Sequence, residues 1–363
     1  MKNEKIFNSV KGKILDDFSG LPPHSRIPAR TELMKKYNVA RSSVEKAVAE
    51  LIGEGFLYSM EGAGTFIADR CSAVRGKKET SNSWGIIMPN VVHDTYPEII
   101  RGIESIASLS QTNIVLYNTD SDVKKQNGAV RNIIESGLQG VIIVPAVSNE
   151  NQLDGIKALK ENNIPFVFCN RGVPGMDAPL VVCNNYLGIS LLMDHLFKLG
   201  YCEIAFIANK FYIAAEQRYQ SYLACLSQKG VPVNRDWIYF EEEGRSSMDS
   251  GYYGTMKVMR QKNPPKALVC FNDRIAMGAL KAAGDLELVV GENIAITGYD
   301  NAYICEAVKL TTVNFPKYDV GAGSADVLRR MINGEKISDT YYEALNPTLV
   351  IRESCGESSR LLT

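Results

Sequence analysis

Histidine is nearly absent. The 363 residues contain only His24, His93 and His195, too scattered along the chain to suggest a shared metal or a Ser/His triad. Metalloenzymes and most triad hydrolases are set aside on that ground, and no G-x-x-x-x-G-K-S/T loop, H-E-x-x-H motif or G-x-S-x-G elbow occurs. The eight cysteines form no CxxC pair, and several lie in apolar runs such as Pro165-Phe166-Val167-Phe168-Cys169. They read as reduced core residues, not as a disulfide or zinc framework. No run approaches the roughly 18 to 20 apolar residues of a membrane span. The start, Met1 to Ile6, lacks the apolar stretch of a secretory signal, so the expectation is a cytoplasmic protein without a membrane partner. What is present is ordinary globular material, 45 % hydrophobic and 22 % charged. At roughly 150 residues per domain the length favours two or three domains.

The net charge of −1 conceals a split, because residues 1–80 hold 14 Lys/Arg against 10 Asp/Glu and the remainder 26 against 31. A modestly basic head on an acidic body suggests a polyanion partner for the head, with ordinary scatter of charge as the plainer account.

In the head, Ile6, Phe7, Val10, Ile14, Leu15 and Phe18 recur at helical spacing and predict an amphipathic helix over 4–18, stopped by Gly20 and Pro22-Pro23. A second helix fits 29–37, with Asn38 as its left-handed exit. A third begins near Arg41-Ser42-Ser43, serine supplying the N-cap, and buries Val44, Val48, Leu51 and Ile52. Its other face carries Arg41, Ser42, Glu45, Lys46 and Ala49. Two short helices joined by a tight turn, the second beginning with small, polar and basic side chains, can place a helix N-terminus in the major groove. Phe56-Leu57-Tyr58 and Thr65-Phe66-Ile67 then flank Glu61-Gly62-Ala63-Gly64, which reads as a β-hairpin with a glycine tip.

This head resembles the winged helix of the GntR family of bacterial transcription regulators. The resemblance rests on Ile27-Pro28-Ala29-Arg30-Thr31-Glu32-Leu33, Tyr37-Asn38-Val39-Ala40-Arg41-Ser42-Ser43-Val44, Glu54-Gly55-Phe56-Leu57 and Gly62-Ala63-Gly64-Thr65-Phe66-Ile67. It implies that Arg41, Ser42 and Ser43 touch DNA and that the wing, with Gly62, Gly64 and Thr65, reaches along the minor groove. Lys46 belongs to the same face. Two positions depart from the family. Thr31 stands where an arginine is usual, with Arg30 beside it as a substitute, and Glu45 stands where an arginine is common. Glutamate cannot hold a phosphate but can accept from a cytosine amine, so Glu45 is either a base reader or a solvent-facing residue.

Residues 69–83 are polar, small and basic without periodicity and read as a linker. From Trp84 onward, continuous apolar runs of strand length, such as Gly85-Ile86-Ile87-Met88 and Val141-Ile142-Ile143-Val144, alternate with helical stretches, as parallel strands covered on both faces should. The pattern restarts after Leu180-Val181-Val182-Cys183. The expected class is therefore α/β: a winged helix-turn-helix followed by two doubly wound parallel sheets with a ligand cleft between them.

The body is similar to the sensor domain of LacI-type repressors and periplasmic sugar-binding proteins. The matching phrases include Asn184-Asn185-Tyr186-Leu187-Gly188, Arg218-Tyr219-Gln220-Ser221-Tyr222, Phe271-Asn272-Asp273-Arg274 and Ile296-Thr297-Gly298-Tyr299-Asp300-Asn301. The resemblance implies domains at 1–70 and 84–353 with a linker at 71–83 and a tail at 354–363. Its three chain crossings imply a first lobe of about 84–183 and 316–334, and a second of about 184–312 and 341–353.

A sugar offers vicinal hydroxyls and a weakly apolar C–H face, so its pocket needs planar bidentate side chains and an aromatic wall. The resemblance assigns the polar groups to Arg218, Asn272 and Asp300. One of Asn272 and Asp273 should cap the next helix; the ligand goes to Asn272 and the cap to Asp273. Asn170 and Arg171 match a position that is often aspartate in relatives, and the amide is a departure. Tyr96 and Phe315 are candidate walls. Gly321-Ala322-Gly323-Ser324 resembles half a dinucleotide fingerprint, but it lacks the third glycine and reads as helix packing. His195 reads as structural.

Together the two resemblances imply a homodimeric transcriptional repressor of carbohydrate-use genes. It binds palindromic operator DNA and is released when a monosaccharide, an L-arabinose-like sugar first, closes the lobes. The alternative is a corepressor-dependent or activating regulator with another small effector. A free solute-binding protein would need an export signal and no winged helix. An enzyme would need an acid/base or nucleophile constellation that the chain does not display, and no cofactor or metal is expected.

Overall fold

The computed structural model describes the chain apart from residues 1, 19–20, 23, 54–55, 61–62, 69–80, 147–152, 210–212, 242–243 and 357–363. It divides into two compact units, Met1–Thr80 and Ser81–Thr363.

The first unit holds helices α1 (Lys2–Phe18), α2 (Arg30–Tyr37) and α3 (Arg41–Gly53), then strands β1 (Leu57–Met60) and β2 (Gly64–Ile67). Apolar residues at helical spacing bring Val10, Ile14 and Phe18 of α1 onto Leu33 of α2 and Val44, Ala47, Val48 and Leu51 of α3. Asn38 closes α2 at φ 51°, its N–H donating to the Met34 carbonyl. The expected serine cap on α3 is corrected. The helix begins at Arg41, and the Ser43 N–H already reaches the Ala40 carbonyl at 3.1 Å, so both serines stand inside the first turn. The antiparallel hairpin pairs Leu57 with Ile67 and Met60 with Gly64, and Arg26 bridges to Phe66 on its far side. Gly62, at the expected tip, lies outside the described residues.

The second unit contains two six-stranded sheets. The first takes β3 (Ser81–Met88), β4 (Asn113–Asn118), β5 (Leu138–Ile143), β6 (Phe166–Cys169) and β7 (Leu180–Cys183), all parallel; β5, β6 and β7 are buried as their apolar runs require, while the edge strand β4 is partly exposed. Helices α4 (Tyr96–Leu109), α5 (Val123–Ser136) and α6 (Leu153–Glu161) connect these strands. Helix α7 (Asn185–Lys198) opens the second lobe. Its sheet holds β8 (Ile204–Asn209), β9 (Ile238–Glu241), β10 (Ala267–Cys270), β11 (Ala295–Tyr299) and β12 (Thr311–Asn314). They alternate with α8 (Ile213–Lys229), α9 (Ser247–Met259), α10 (Asp273–Asp285) and the short α11 (Ile304–Ala307). The chain then returns through α12 (Lys317–Ile332), which packs on α4 in the first lobe. Gly321 lies at that crossing, against the Ile99 carbonyl where a Cβ would collide, so the glycine pair serves helix packing.

Two boundaries differ from expectation. Strand β3 starts at Ser81, which pairs with Leu138, so the expected linker end at 83 is too late. Strand β13 (Tyr342–Leu345) stays in the first lobe, Glu343 beside Val181 of β7, and only β14 (Thr348–Val350) joins the second sheet, antiparallel to β12. The third crossing thus falls at 346–347 rather than before 341. The physical reason is the open edge of β7, which the half-exposed β13 covers. Among the described residues no helix is long and apolar enough to cross a membrane.

Candidate functional site

The carboxyl ends of both parallel sheets face one cavity of about 170 Å³. From the first lobe, Asn90, His93 and Tyr96 enter after β3, Ser121 after β4, and Asn170 and Arg171 after β6. The second lobe contributes Arg218 from α8, Phe271 and Asn272 after β10, and Asp300 after β11, while Phe315 sits at a crossing. This is where open α/β sheets place ligands, because strand ends and helix starts expose backbone and polar side chains there. All seven effector residues expected from the sequence, Tyr96, Asn170, Arg171, Arg218, Asn272, Asp300 and Phe315, line this cavity.

Arg218 is 5 % exposed. Its guanidinium carbon lies 3.4 Å from the Tyr299 ring centroid and 4.6 Å from that of Phe271, while Nε donates to Asn185 Oδ1 at 2.9 Å and Nη1 to the Phe271 carbonyl. Nη2 stands 3.6 Å from Asp300 Oδ1. The cation is therefore held by rings, an amide, a carbonyl and a carboxylate, which fixes its planar fork. Gly188 of α7 permits this, because a Cβ there would run into the Tyr299 hydroxyl.

Asp300 and Asn170 both adopt left-handed backbone, at φ 110° and 67°. Such strain in non-glycine residues persists only where the surroundings impose it. Here the Asp300 N–H donates to the Val313 carbonyl at 2.9 Å and the Asn170 N–H to the Val181 carbonyl at 2.8 Å. Burial pushes the Asp300 carboxyl up to about 6. Asp273 adds to that, while Arg218, Lys317 and His93 oppose it. Burial likewise holds His93 below the usual imidazole range.

Asn272 and Asp273 exchange the roles expected of them. Asn272 Oδ1 accepts from the Ile275 N–H at 2.9 Å and so caps α10, yet the residue still lines the cavity. Asp273 is 2 % exposed and accepts from Thr312 Oγ1 at 2.6 Å and the Ala302 N–H at 2.7 Å, tying the Asp300 loop to β12. The cap geometry selects the residue before the helix, and burial then needs a carboxylate with two donors. Sequence reasoning passed over Asn185, which orients Arg218, and His93, which faces Asp300. Asn185 stood in plain view in the Asn184-Asn185 phrase, whereas nothing marked His93 beyond its polar loop. His195 is buried with Nε2 3.3 Å from Cys355 Sγ and is not among the residues lining the cavity.

In the head, Arg30, Arg41, Ser42, Glu45 and Lys46 are exposed and Ser43 is half-buried on the outer side of α2 and α3. Arg41 Nε donates to Glu45 Oε1 at 2.8 Å. Gly64 and Thr65 are half-buried in the wing, and the exposed Arg26 lies with its guanidinium beside Gly64. Arg26 is a cation at the wing that the sequence reading did not single out.

A winged helix-turn-helix joined to a two-lobed parallel-sheet body with a cleft is the build of a ligand-responsive transcription regulator. Residues 4–67 match the gntR family of bacterial regulatory proteins, and residues 193–355 match the periplasmic binding protein-like domain. The chain is 28 % identical to the arabinose metabolism transcriptional repressor of Halalkalibacterium halodurans, over 97 % of this chain and 96 % of that one. The protein of the same name from Geobacillus stearothermophilus is 28 % identical over 93 % of each. Among solved structures, the transcription regulator CcpA of Lactococcus lactis is 22 % identical with a TM-score of 0.67, covering 75 % of this chain and 98 % of that one. A complex of the transcriptional regulator CelR with cellobiose is 20 % identical with a TM-score of 0.66, covering 86 % and 90 %. These two support the fold. The chain is thus a DNA-binding transcription regulator with a GntR-type head and a periplasmic-binding-protein-like body.

Proposed function

We propose that the protein is a transcriptional repressor that binds a palindromic operator as a homodimer and lets go when a monosaccharide occupies the cleft. The observation that carries this reading is the cavity itself. Arg218, Asn272 and Asp300 face Asn170 and Arg171 across it, with Tyr96, Phe271 and Phe315 as aromatic walls. Planar donors and acceptors beside apolar rings suit a polyhydroxylated ring, and a cavity of about 170 Å³ is small against the roughly 300–1,000 Å³ of drug-sized sites. Arg41, Ser42 and Ser43 at the start of α3, with Glu45 and Lys46 on the same face, are the residues proposed to meet DNA, supported by Arg30 and by the wing at Gly62, Gly64 and Thr65.

Two half-sites need two heads, and a dimer of the body supplies them. Met248, Tyr303 and Ile304 of the second lobe are 49, 89 and 49 % exposed around a groove that Arg274 and, from the first lobe, Asp94 also line, and these exposed apolar side chains support a contact between copies there. The names of the curated relatives make L-arabinose the first sugar to try. A gel shift with operator DNA, titrated with sugars, tests the reading. Release supports it, tighter binding would mean a corepressor, and no response to any sugar would reject a sugar switch.

A further inference from the structure

The cleft carries more positive charge than it neutralises. The acidic and basic side chains that line it, His93 aside, are Arg171, Arg218 and Asp300. Arg218 and Asp300 face each other at 3.6 Å. Arg171 has no such partner. Its Nε donates to the Pro145 carbonyl at 2.7 Å and its Nη1 to the Tyr96 hydroxyl at 3.3 Å, both neutral, and no carboxylate of a described residue pairs with it. The remaining guanidinium N–H groups are left for the cavity that Arg171 lines.

The surroundings do not supply the missing charge. His93 is held towards its neutral form by burial. Asp94 at the cleft mouth is matched by Arg274, with Nε 3.4 Å from its Oδ2. Asp273 is committed to Thr312 and Ala302, with Lys317 as the nearby cation. The residue adjoining Arg171 that could have been an acid is Asn170, an amide fixed by its backbone at the cavity wall. A half-buried guanidinium whose bonds go only to neutral acceptors keeps an unmet charge, and its planar fork is shaped for two oxygens of one anionic group.

We propose that the effector is an acidic monosaccharide, a sugar ring bearing one carboxylate or phosphate that Arg171 receives, while Arg218, Asn272 and Asp300 read its hydroxyls. This rests on the cleft being a sugar site and narrows which sugars it takes. The neutral L-arabinose suggested by the relatives' names would leave Arg171 uncompensated.

Calorimetry on the full-length protein at matched ionic strength separates the alternatives. The probes are neutral aldoses, the aldonates and uronates of the same skeletons, and their monophosphates. The expected result is at least about tenfold tighter binding of one acidic class than of its neutral parent, the class distinguishing carboxylate from phosphate. The preference should survive in Arg171→Lys, vanish in Arg171→Gln, and turn towards neutral sugars in Asn170→Asp, which puts a carboxylate beside Arg171. Thermal melts of each variant control for folding. Equal or tighter binding of neutral sugars would overturn the proposal and leave the sugar-sensor reading intact. An acid preference that persists in Arg171→Gln would remove Arg171 from the assignment. Failure of every neutral and acidic sugar to bind a protein that still binds operator would overturn both.

Discussion

Arg218 lies face to face with Tyr299, its guanidinium carbon 3.4 Å from the ring centroid, and the next residue along the strand is Asp300, its carboxylate partner. One turn of backbone therefore supplies both the platform and the counter-charge of the central cation. Arg218→Ala and Asp300→Ala should each still bind operator but fail to release it in effector. Each leaves a buried polar group unsatisfied at a cost of roughly 1–3 kcal/mol, so effector affinity should fall at least about tenfold. Arg218→Lys should behave almost as badly, because an ammonium cannot stack on Tyr299 while reaching Asn185 and the Phe271 carbonyl. Calorimetry and a gel shift on the same samples check this, and wild-type release by either alanine variant would remove the residue from the cleft chemistry.

The head invites a paired test. In the free protein Glu45 holds Arg41, an exposed pair one helical turn apart that contributes little to stability. Arg41→Ala should weaken operator binding by about 1–3 kcal/mol and leave the effector-induced melting shift unchanged. Glu45→Gln distinguishes the two roles left open for that residue. If Glu45 is only a solvent-facing partner of Arg41, the variant should bind all DNA more tightly. If it accepts from a cytosine amine, operator preference at one base pair should drop. Footprints across operator variants read both outcomes, and normal binding by Arg41→Ala would take α3 out of the groove.

Much of this was legible in the sequence because the signals were local. Apolar runs such as Val141-Ile142-Ile143 and the helical spacing of Val44, Val48 and Leu51 follow from burial alone, and both emerge buried. Asn170, Arg171, Asn272 and Asp300 were legible because each follows closely on a strand, whereas Arg218 lies within α8 and Tyr96 begins α4. What escaped were elements defined by partners distant in sequence. Strand β13 alternates half-exposed and exposed residues and exists because β7 has an open edge, which no window around Tyr342 reveals. The swap between Asn272 and Asp273 escaped for the same reason, since it turns on Thr312 and Ala302, some 30 to 40 residues away. The division of the chain at Thr80 is open to direct experiment.

That experiment is a truncation. Residues 81–363 should fold alone, bind effector and sediment as a dimer, because the second unit has its own core and begins with the paired strand β3. The isolated head should bind DNA only weakly once the two half-sites are no longer coupled. A body that sediments as a monomer at concentrations where the full chain is a dimer would place the dimer contact in the head.

The last prediction follows from the raised Asp300 carboxyl, about 6 against an ordinary aspartate value of about 3.9. An acid whose pKa is higher in the folded state binds its proton there while the unfolded chain has already lost it. Between about pH 4 and 6 the unfolded state therefore binds fewer protons, and Asp300 contributes more to stability as the pH falls through that window. Above about 6 the full cost of a buried carboxylate is present. Asp273, also raised by burial, acts in the same direction, so the comparison must isolate one residue. Melting temperature across pH 5 to 7 should therefore slope differently in the wild type and in Asp300→Asn, the wild type gaining relative to the variant as the pH drops. Effector binding runs the other way. A carboxylate that accepts from sugar hydroxyls loses an acceptor on protonation, so the effector-induced melting shift of the wild type should shrink below about pH 6 while that of Asp300→Asn, smaller throughout, stays flatter. Parallel slopes for the two proteins, with and without effector, would mean that Asp300 keeps an ordinary pKa and that the cleft does not desolvate it.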